Sequence, residues 1–325
     1  MNRERLSRRQ MYITFSSPKP QVDSIYIEGI PHEKLLFEYN LDRDSIIIWI
    51  NEQGPVKDTL KLMVDYMKTD DTLNILVPRS DTFRMARPKP KFEEDRRGEM
   101  VEVQDTSCKY EVEANPENID QDGIIFKFNY PLIQAPFDSV KITAIDTKQQ
   151  KTEKAFTIEK DSLDIKKYTL RLNEELKNGF EYILKMPGKK FQDINGLYCD
   201  SLEKKFKLPS VEDLSSLTLE LQNVSEEYMV ELLDEKRSKL FRKYNIDTTA
   251  SLSFPYLKAG NYSIRITQDK DGNGRSDTGD LLKRRQPEKV RMYKANNSIG
   301  NKAYILEIPE KTDLVQTIDL AEMFK

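Results

Sequence analysis

Three β-sandwich modules in tandem, without βαβ units, are the all-β architecture that the sequence predicts for this 325-residue chain. Two observations carry it. Short runs of ~5 to 8 residues alternate apolar and polar side chains, the period of strands with one buried face. Turn residues punctuate those runs roughly every ten residues, the rhythm of a sandwich. A chain this long also exceeds one small core, so several cores of ordinary domain size are expected.

The first domain is expected over residues 9–86. Tyr12-Ile13-Thr14-Phe15 alternates, followed by Val22, Ile25 and Ile27, then Leu35-Leu36-Phe37-Glu38-Tyr39. The apolar run Ile46-Ile47-Ile48-Trp49-Ile50 closes at the turn Asn51 to Pro55, and Leu60, Leu62, Val64 and Tyr66 recur at period two. Leu73 to Pro78 is the last predicted strand. Residues 87–100, dense in charge and broken by prolines, read as a linker with little to bury.

The second domain is expected over residues 101–209. Its strands are Tyr110 with Val112, Gly123 to Asn129, Val140 with Ile142 and Ala144, Tyr168 to Leu172 and Tyr182 to Met186; a last one lies near Lys204 to Leu208, before Pro209. The third is expected over residues 213–325. It opens on Leu217-Thr218-Leu219-Glu220-Leu221. The next stretch has a helical stripe of Met229, Leu232, Leu233, Leu240, Phe241 and Tyr244, but Lys236 and Arg237 interrupt it. A hairpin turning at Glu235 to Ser238 explains that gap. Ala250, Leu252 and Phe254, then Tyr262 to Ile266, Val290 to Tyr293, Tyr304 to Ile308 and Val315 to Leu320 supply the remaining strands.

Lys plus Arg at 52 against Asp plus Glu at 55 leave a net charge of −3, so no overall field draws the chain to nucleic acid or an anionic membrane. His32 is the only histidine, which removes His-clustered zinc sites and leaves any His-dependent triad resting on one residue in a Pro-His-Glu turn. Cys108 and Cys199 bracket the second domain; a disulfide in an oxidising compartment and two buried free thiols both remain open. The arginine-rich amino terminus lacks the apolar run of a signal peptide, and no apolar stretch of ~18 residues occurs. As written, the chain is expected to be soluble and unexported; the second reading is that an export signal and a further domain lie upstream of Met1.

The stretch Gln268 to Asp280, QDKDGNGRSDTGD, has the spacing of an EF-hand calcium loop, with Gly274 at its sharp turn. Side-chain oxygens would come from Asp269, Asp271, Asn273 and Asp277, a backbone carbonyl from Arg275, and Asp280 stands where a bidentate glutamate is usual. A strand precedes this loop instead of the EF-hand's helix. Two other readings stay open: a metal-free hairpin loop built on Asx turns and glycines, and internal neutralisation by Lys270, Arg275, Lys283, Arg284 and Arg285. No catalytic residue stands out: 55 acidic residues make carboxylate pairs inevitable, and no nucleophile elbow, P-loop, Rossmann or metalloprotease motif occurs.

Gly123-Ile124-Ile125-Phe126-Lys127-Phe128-Asn129-Tyr130-Pro131, followed by Phe191-Gln192-Asp193-Ile194-Asn195-Gly196-Leu197, resembles the bacterial Ig-like domain of the SbsA type. There a strand ends in a Phe-Asn-x-Pro step and a late Asp-x-x-Gly turn precedes the final strand. Phe254 to Tyr262, then Asp269 to Asp280 and Lys283 to Tyr293, closely resemble the end of a family of Ig-like envelope lipoproteins of Gram-negative bacteria. That resemblance implies a carboxy-terminal transthyretin-like or carboxypeptidase-regulatory-like β-sandwich. It also implies an address in the cell envelope, periplasm or outer-membrane surface, with a lipid anchor if an upstream signal exists. The expected role is non-catalytic: a structural, scaffolding or binding module whose partner is an envelope protein or glycan. The alternative is a cell-surface carbohydrate-binding or adhesive protein, which an exposed row of aromatics on one sheet face would favour. Calcium is the only cofactor expected.

Overall fold

A computed structural model describes the chain except residues 18, 53, 71, 74, 90–91, 95–97, 103–104, 209–213 and 280–283, with backbone alone for 101–102. Pro209, Lys283 and Asp280 therefore lie outside the described residues. The chain is all-β, and its buried apolar residues fall into three separate cores in sequence order.

The first core lies between two antiparallel sheets. One orders the strands Asn2–Arg5, Gln10–Thr14, Ser45–Ile50 and Leu35–Tyr39; the other orders Val22–Ile27, Thr59–Thr69 and Leu76–Ala86. The alternation in Thr59–Thr69 points Leu60, Leu62, Val64 and Tyr66 inward, as the period-two reading requires. Its partner Leu76–Ala86 starts later than the predicted Leu73 and pairs along its whole length; Pro78 is accommodated there because the strand is a sheet edge. The strand Asn2–Arg5 is polar in sequence, yet Arg5 is buried. Its guanidinium donates to the carbonyls of Ser7 (3.2 Å), Arg8 (2.8 Å), Lys57 (2.9 Å), Asp58 (2.6 Å) and Met85 (3.1 Å), tying the amino terminus to the opposite sheet. Phe92–Glu94, inside the stretch read as linker, pairs with Met100–Glu102, which straddles its end.

The second sandwich sets the sheet Tyr110–Glu113, Ile124–Phe128, Lys167–Leu172, Phe156–Lys160 against Lys151–Lys154, Lys141–Ile145, Glu181–Met186, Leu202–Lys207. Ile124, Phe126 and Phe128 alternate inward, and the Phe126 and Phe128 rings join those of Phe137, Tyr168 and Phe191 in one aromatic cluster. The Asp193 to Gly196 turn forms as its spacing predicts. Asp193 Oδ1 accepts from the backbone N–H of Asn195 (2.8 Å) and Leu197 (3.0 Å), and Gly196 takes φ +84°, open to glycine without strain.

In the third sandwich, Ser215–Gln222 runs antiparallel to Ala250–Leu257 and parallel to Asp313–Asp319. The facing sheet orders Leu240–Ile246, Tyr228–Asp234, Gly260–Gln268 and Val290–Met292, with Leu306–Ile308 also on Gly260–Gln268. The hairpin reading of Tyr228 to Ile246 holds: the two strands pair antiparallel, and Asp234 Oδ1 caps the turn by accepting from Ser238 N (2.6 Å) and Lys239 N (2.8 Å). Tyr304, predicted in a strand, closes the 3-10 helix Gly300–Tyr304 instead, so only Leu306–Ile308 pairs. Among the described residues no helix is long and apolar enough to cross a membrane.

Candidate functional site

Three features of the fold bring chemistry-bearing side chains together: the acidic loop of the third sandwich and the two junctions between consecutive sandwiches.

The loop leaves the central strand Gly260–Gln268 and returns through Val290–Met292, which pairs beside it. Asp269 is buried and holds the turn from inside: its Oδ1 accepts from Asn273 N (3.2 Å) and its Oδ2 from Gly274 N (2.6 Å). Gly274 sits at φ +70°, a backbone conformation that glycine adopts without strain, so the loop needs glycine there. Asn273 Oδ1 accepts from Arg275 N (2.8 Å), and Asn273 Nδ2 donates to Asp277 Oδ2 (2.9 Å). Arg285 bridges the two remaining acids, with Asp271 Oδ2 at 3.0 Å and Asp277 Oδ2 at 3.3 Å. Lys243, from the strand Leu240–Ile246 two places along the sheet, donates to the Gly274 carbonyl (2.9 Å).

Glu288 belongs to this site although the twelve-residue template stops short of it. Its two oxygens accept from Lys270 N (2.8 Å) and Asp277 N (2.9 Å), clasping both arms of the loop. One ligand oxygen each from Asp269, Asp271 and Glu288 lie within 4.8 Å of one another. The structure therefore assembles Asp269 and Asp271 with Glu288. It turns the Asn273 oxygen to a local backbone N–H, engages Asp277 with Arg285, and leaves Asp280 outside the described residues. The donors are all hard oxygens, which suit calcium in kind. The signal for Glu288 was the Arg-Gln-Pro-Glu run at 285–288, which returns the chain to the sheet.

At the first junction, Trp49 is buried but outside the core of its own sandwich. The run Ile46 to Ile50 puts Ile46, Ile48 and Ile50 inward and Trp49 on the other face, edge-on to Tyr130 of the second sandwich with centroids 6.0 Å apart. Its Nε1 donates to Glu38 Oε2 (3.1 Å), and Glu38 in turn pairs with Lys166 of the second sandwich. Trp49, flanked by isoleucines and expected in a core, is buried as expected, but at the junction with the second sandwich, not among the side chains of its own sandwich's core.

The second junction is more extensive. A single helical turn, Ile119–Asp122, docks on the strand Leu240–Ile246 of the third sandwich. Asn118 Nδ2 donates to the Phe241 carbonyl and Gln121 Nε2 to the Lys243 carbonyl (2.5 Å). Arg242 is buried between them, its Nη1 and Nη2 on the two oxygens of Asp120 (2.9 and 2.7 Å) and Nη2 also on the Glu117 carbonyl (3.2 Å). Burial pulls the Arg242 pKa down, but the Asp120 carboxylate and the Tyr244 hydroxyl outweigh it and leave the guanidinium more firmly charged. Pro255 and Tyr256 form a bulge in the register of Ala250–Leu257, with Tyr256 at φ +61°. A non-glycine residue there costs about 1 kcal/mol; the bulge aims its hydroxyl at Asn178 Oδ1 of the second sandwich (3.3 Å).

Two carboxyls are held above the usual range. Burial raises Asp122, near Arg242, and burial raises Asp193, with Asp105 adding to it against the Leu197 and Asn195 N–H groups. They sit at turns facing different junctions and do not converge on one cleft. The exposed aromatics Tyr26, Phe92 and Tyr198 lie on separate elements, not in a row on one sheet face.

No protein-family model matches the chain, and no curated protein matches it. Among solved structures it is similar to native alpha-2-macroglobulin from Escherichia coli spanning domains MG0-NIE-MG1, at 14% identity over 58% of this chain and 68% of that one, with a TM-score of 0.22. It is also similar to the major pilin subunit of Bacillus cereus, at 11% identity over 98% and 99% of the two chains, with a TM-score of 0.19. A third is the Bacteroides ovatus mixed-linkage glucan utilization locus protein SGBP-B in complex with a mixed-linkage heptasaccharide, at 13% identity over 96% and 65%, with a TM-score of 0.17. These scores are too low to carry any functional argument, and the all-β architecture rests on the strands themselves.

Proposed function

We propose that the chain is a non-catalytic Ig-like module protein of the bacterial cell envelope, a spacer or scaffold that holds its sandwiches at fixed relative positions for an envelope protein or glycan partner. The observation that carries this is the second junction, where buried Arg242 engages Asp120 at both oxygens and amide side chains of one sandwich bond the backbone of the next. Backbone carbonyls and a two-point guanidinium contact fix orientation as well as proximity, which a flexible tether does not. The envelope address rests on the resemblance of residues 123–131, 191–197 and 254–293 to the Ig-like envelope lipoproteins. Cells that make the chain natively should yield it with the periplasmic or membrane fraction; recovery in the cytosol after gentle spheroplasting would refute that address.

The acidic loop, in this reading, takes a calcium ion through Asp269, Asp271 and Glu288, with Arg285 giving up Asp271 as the ion enters. Millimolar calcium should then raise the melting temperature of the third sandwich and chelator lower it; about a hundredfold excess over Kd contributes roughly 3 kcal/mol. Glu288→Gln should abolish most of that response. An unchanged melt and no binding heat would leave Arg285 as the loop's counter-charge and end the calcium reading.

A further inference from the structure

We infer that Cys108 and Cys199 are a disulfide-forming pair that clasps the beginning of the second sandwich to its end. Cys108 and Cys199 face one another as the two residues of a parallel β-bridge, and Cys108 N donates to the carbonyl of Tyr198 (3.1 Å). Neighbouring strands stand about 4.7–4.9 Å apart, inside the Cα separation of roughly 4.4–6.8 Å that a disulfide requires. Both residues are buried in the same core, at 2% and 1% exposure, and both are free thiols here. The backbone on either side is fixed. Cys199 N donates to the Phe191 carbonyl (3.0 Å) and Lys189 N to the Cys199 carbonyl (2.9 Å), while the Tyr110 hydroxyl reaches the Asp200 carbonyl (2.9 Å). The pair thus sits where the strand following Cys108 and the segment preceding Leu202–Lys207 are already held together, and a covalent bond would need no rearrangement of the sheet.

The chemistry is a two-electron exchange with a small disulfide of the glutathione class. One cysteine thiolate attacks the oxidant, expelling one thiolate and leaving a mixed disulfide. The second cysteine attacks that bond, the Sγ–Sγ bond forms, and the second oxidant thiolate leaves; the two protons of the cysteines end on the two released thiols. Within the folded sandwich the Cys199 thiol is pushed far up by its hydrogen bond with Cys108 and by burial, so thiolate is scarce there. The bond therefore forms while the chain folds and is slow to form in the native reduced protein.

The test refolds the full chain from denaturant with glutathione disulfide, quenches with an alkylating agent under denaturing conditions, and weighs it intact without reductant. The expected product is about 2 Da lighter than the reduced chain and carries no alkyl group. Its second sandwich should melt on the order of 10 °C above that of the reduced form, because the bond closes a loop of roughly ninety residues. Cys199→Ser, refolded in parallel, should show no such rise with oxidant. Two alkylated cysteines, stable glutathione adducts, or an oxidised chain that melts no higher than the reduced one would each overturn the clasp.

Discussion

Arg242→Ala should split the unfolding of the second and third sandwiches into two transitions. Arg242 is buried and makes the only contact at this junction, among the described residues, in which one side chain engages both oxygens of a carboxylate across the boundary. Truncation removes that pair and the bond to the Glu117 carbonyl (3.2 Å) at once. Asp120 is about half exposed, so it rehydrates when released and the full penalty of an orphaned buried charge does not apply. A loss of about 2 kcal/mol of coupling follows from the charge-assisted hydrogen bonds alone. Arg242→Lys should recover only part of it, since an ammonium cannot meet both oxygens in one plane. Calorimetry of the wild type and both variants reads the result directly: a single shifted transition in Arg242→Ala would mean that the two sandwiches stay coupled without Arg242.

Phe126→Ala should cost the second sandwich about 4 kcal/mol, the largest effect of any substitution considered. The ring is fully buried, packs edge-on against Phe137 at 5.6 Å and stacks with Phe128 at 6.5 Å. Phe137 and Phe128 in turn touch Tyr168 and Phe191, so the cavity opens in the middle of an aromatic cluster contributed by one sheet, the 3-10 turn at Phe137 and the segment at Phe191, and cannot collapse from one side. The corresponding fall in melting temperature is on the order of 20 °C for a domain of this size. Phe126→Leu, which keeps most of the volume, should lose about 1 to 2 kcal/mol. Chemical denaturation of both variants checks the order and the spacing between them.

Much of the fold could be read from the chain because one-sided strands write themselves as alternation. Leu60, Leu62, Val64 and Tyr66, or Ile124, Phe126 and Phe128, leave little choice of face. What covers Trp49 was not legible, because the run around it is apolar at every position: a strand buried on both faces carries no alternation, and only the second sandwich reveals what lies on the other side. The polar strand Asn2–Arg5 escaped for the opposite reason. Its buried member is an arginine that bonds the nearby carbonyls of Ser7 and Arg8 and also those of residues 57, 58 and 85, which only the fold brings within reach. Ile119–Asp122 is one turn long, too short for a 3.6-residue period to register, yet it forms the docking surface for the third sandwich.

The loop divides along the same line. Asp269 and the glycines were legible because an Asx-rich turn with positive φ has a local chemistry. Glu288 was not, since a template of twelve consecutive residues cannot see an acid that returns through strand pairing to clasp both arms of the loop. Arg285 was named among several basic residues that could neutralise the loop, and its position between Asp271 and Asp277 follows from that same return of the chain.

Small-angle X-ray scattering of the intact chain in solution tests the central claim, that the sandwiches are held at fixed relative positions. The account predicts that the scattering curve is reproduced by this single arrangement of the sandwiches across a dilution series. A curve that requires an ensemble of reoriented sandwiches would contradict it.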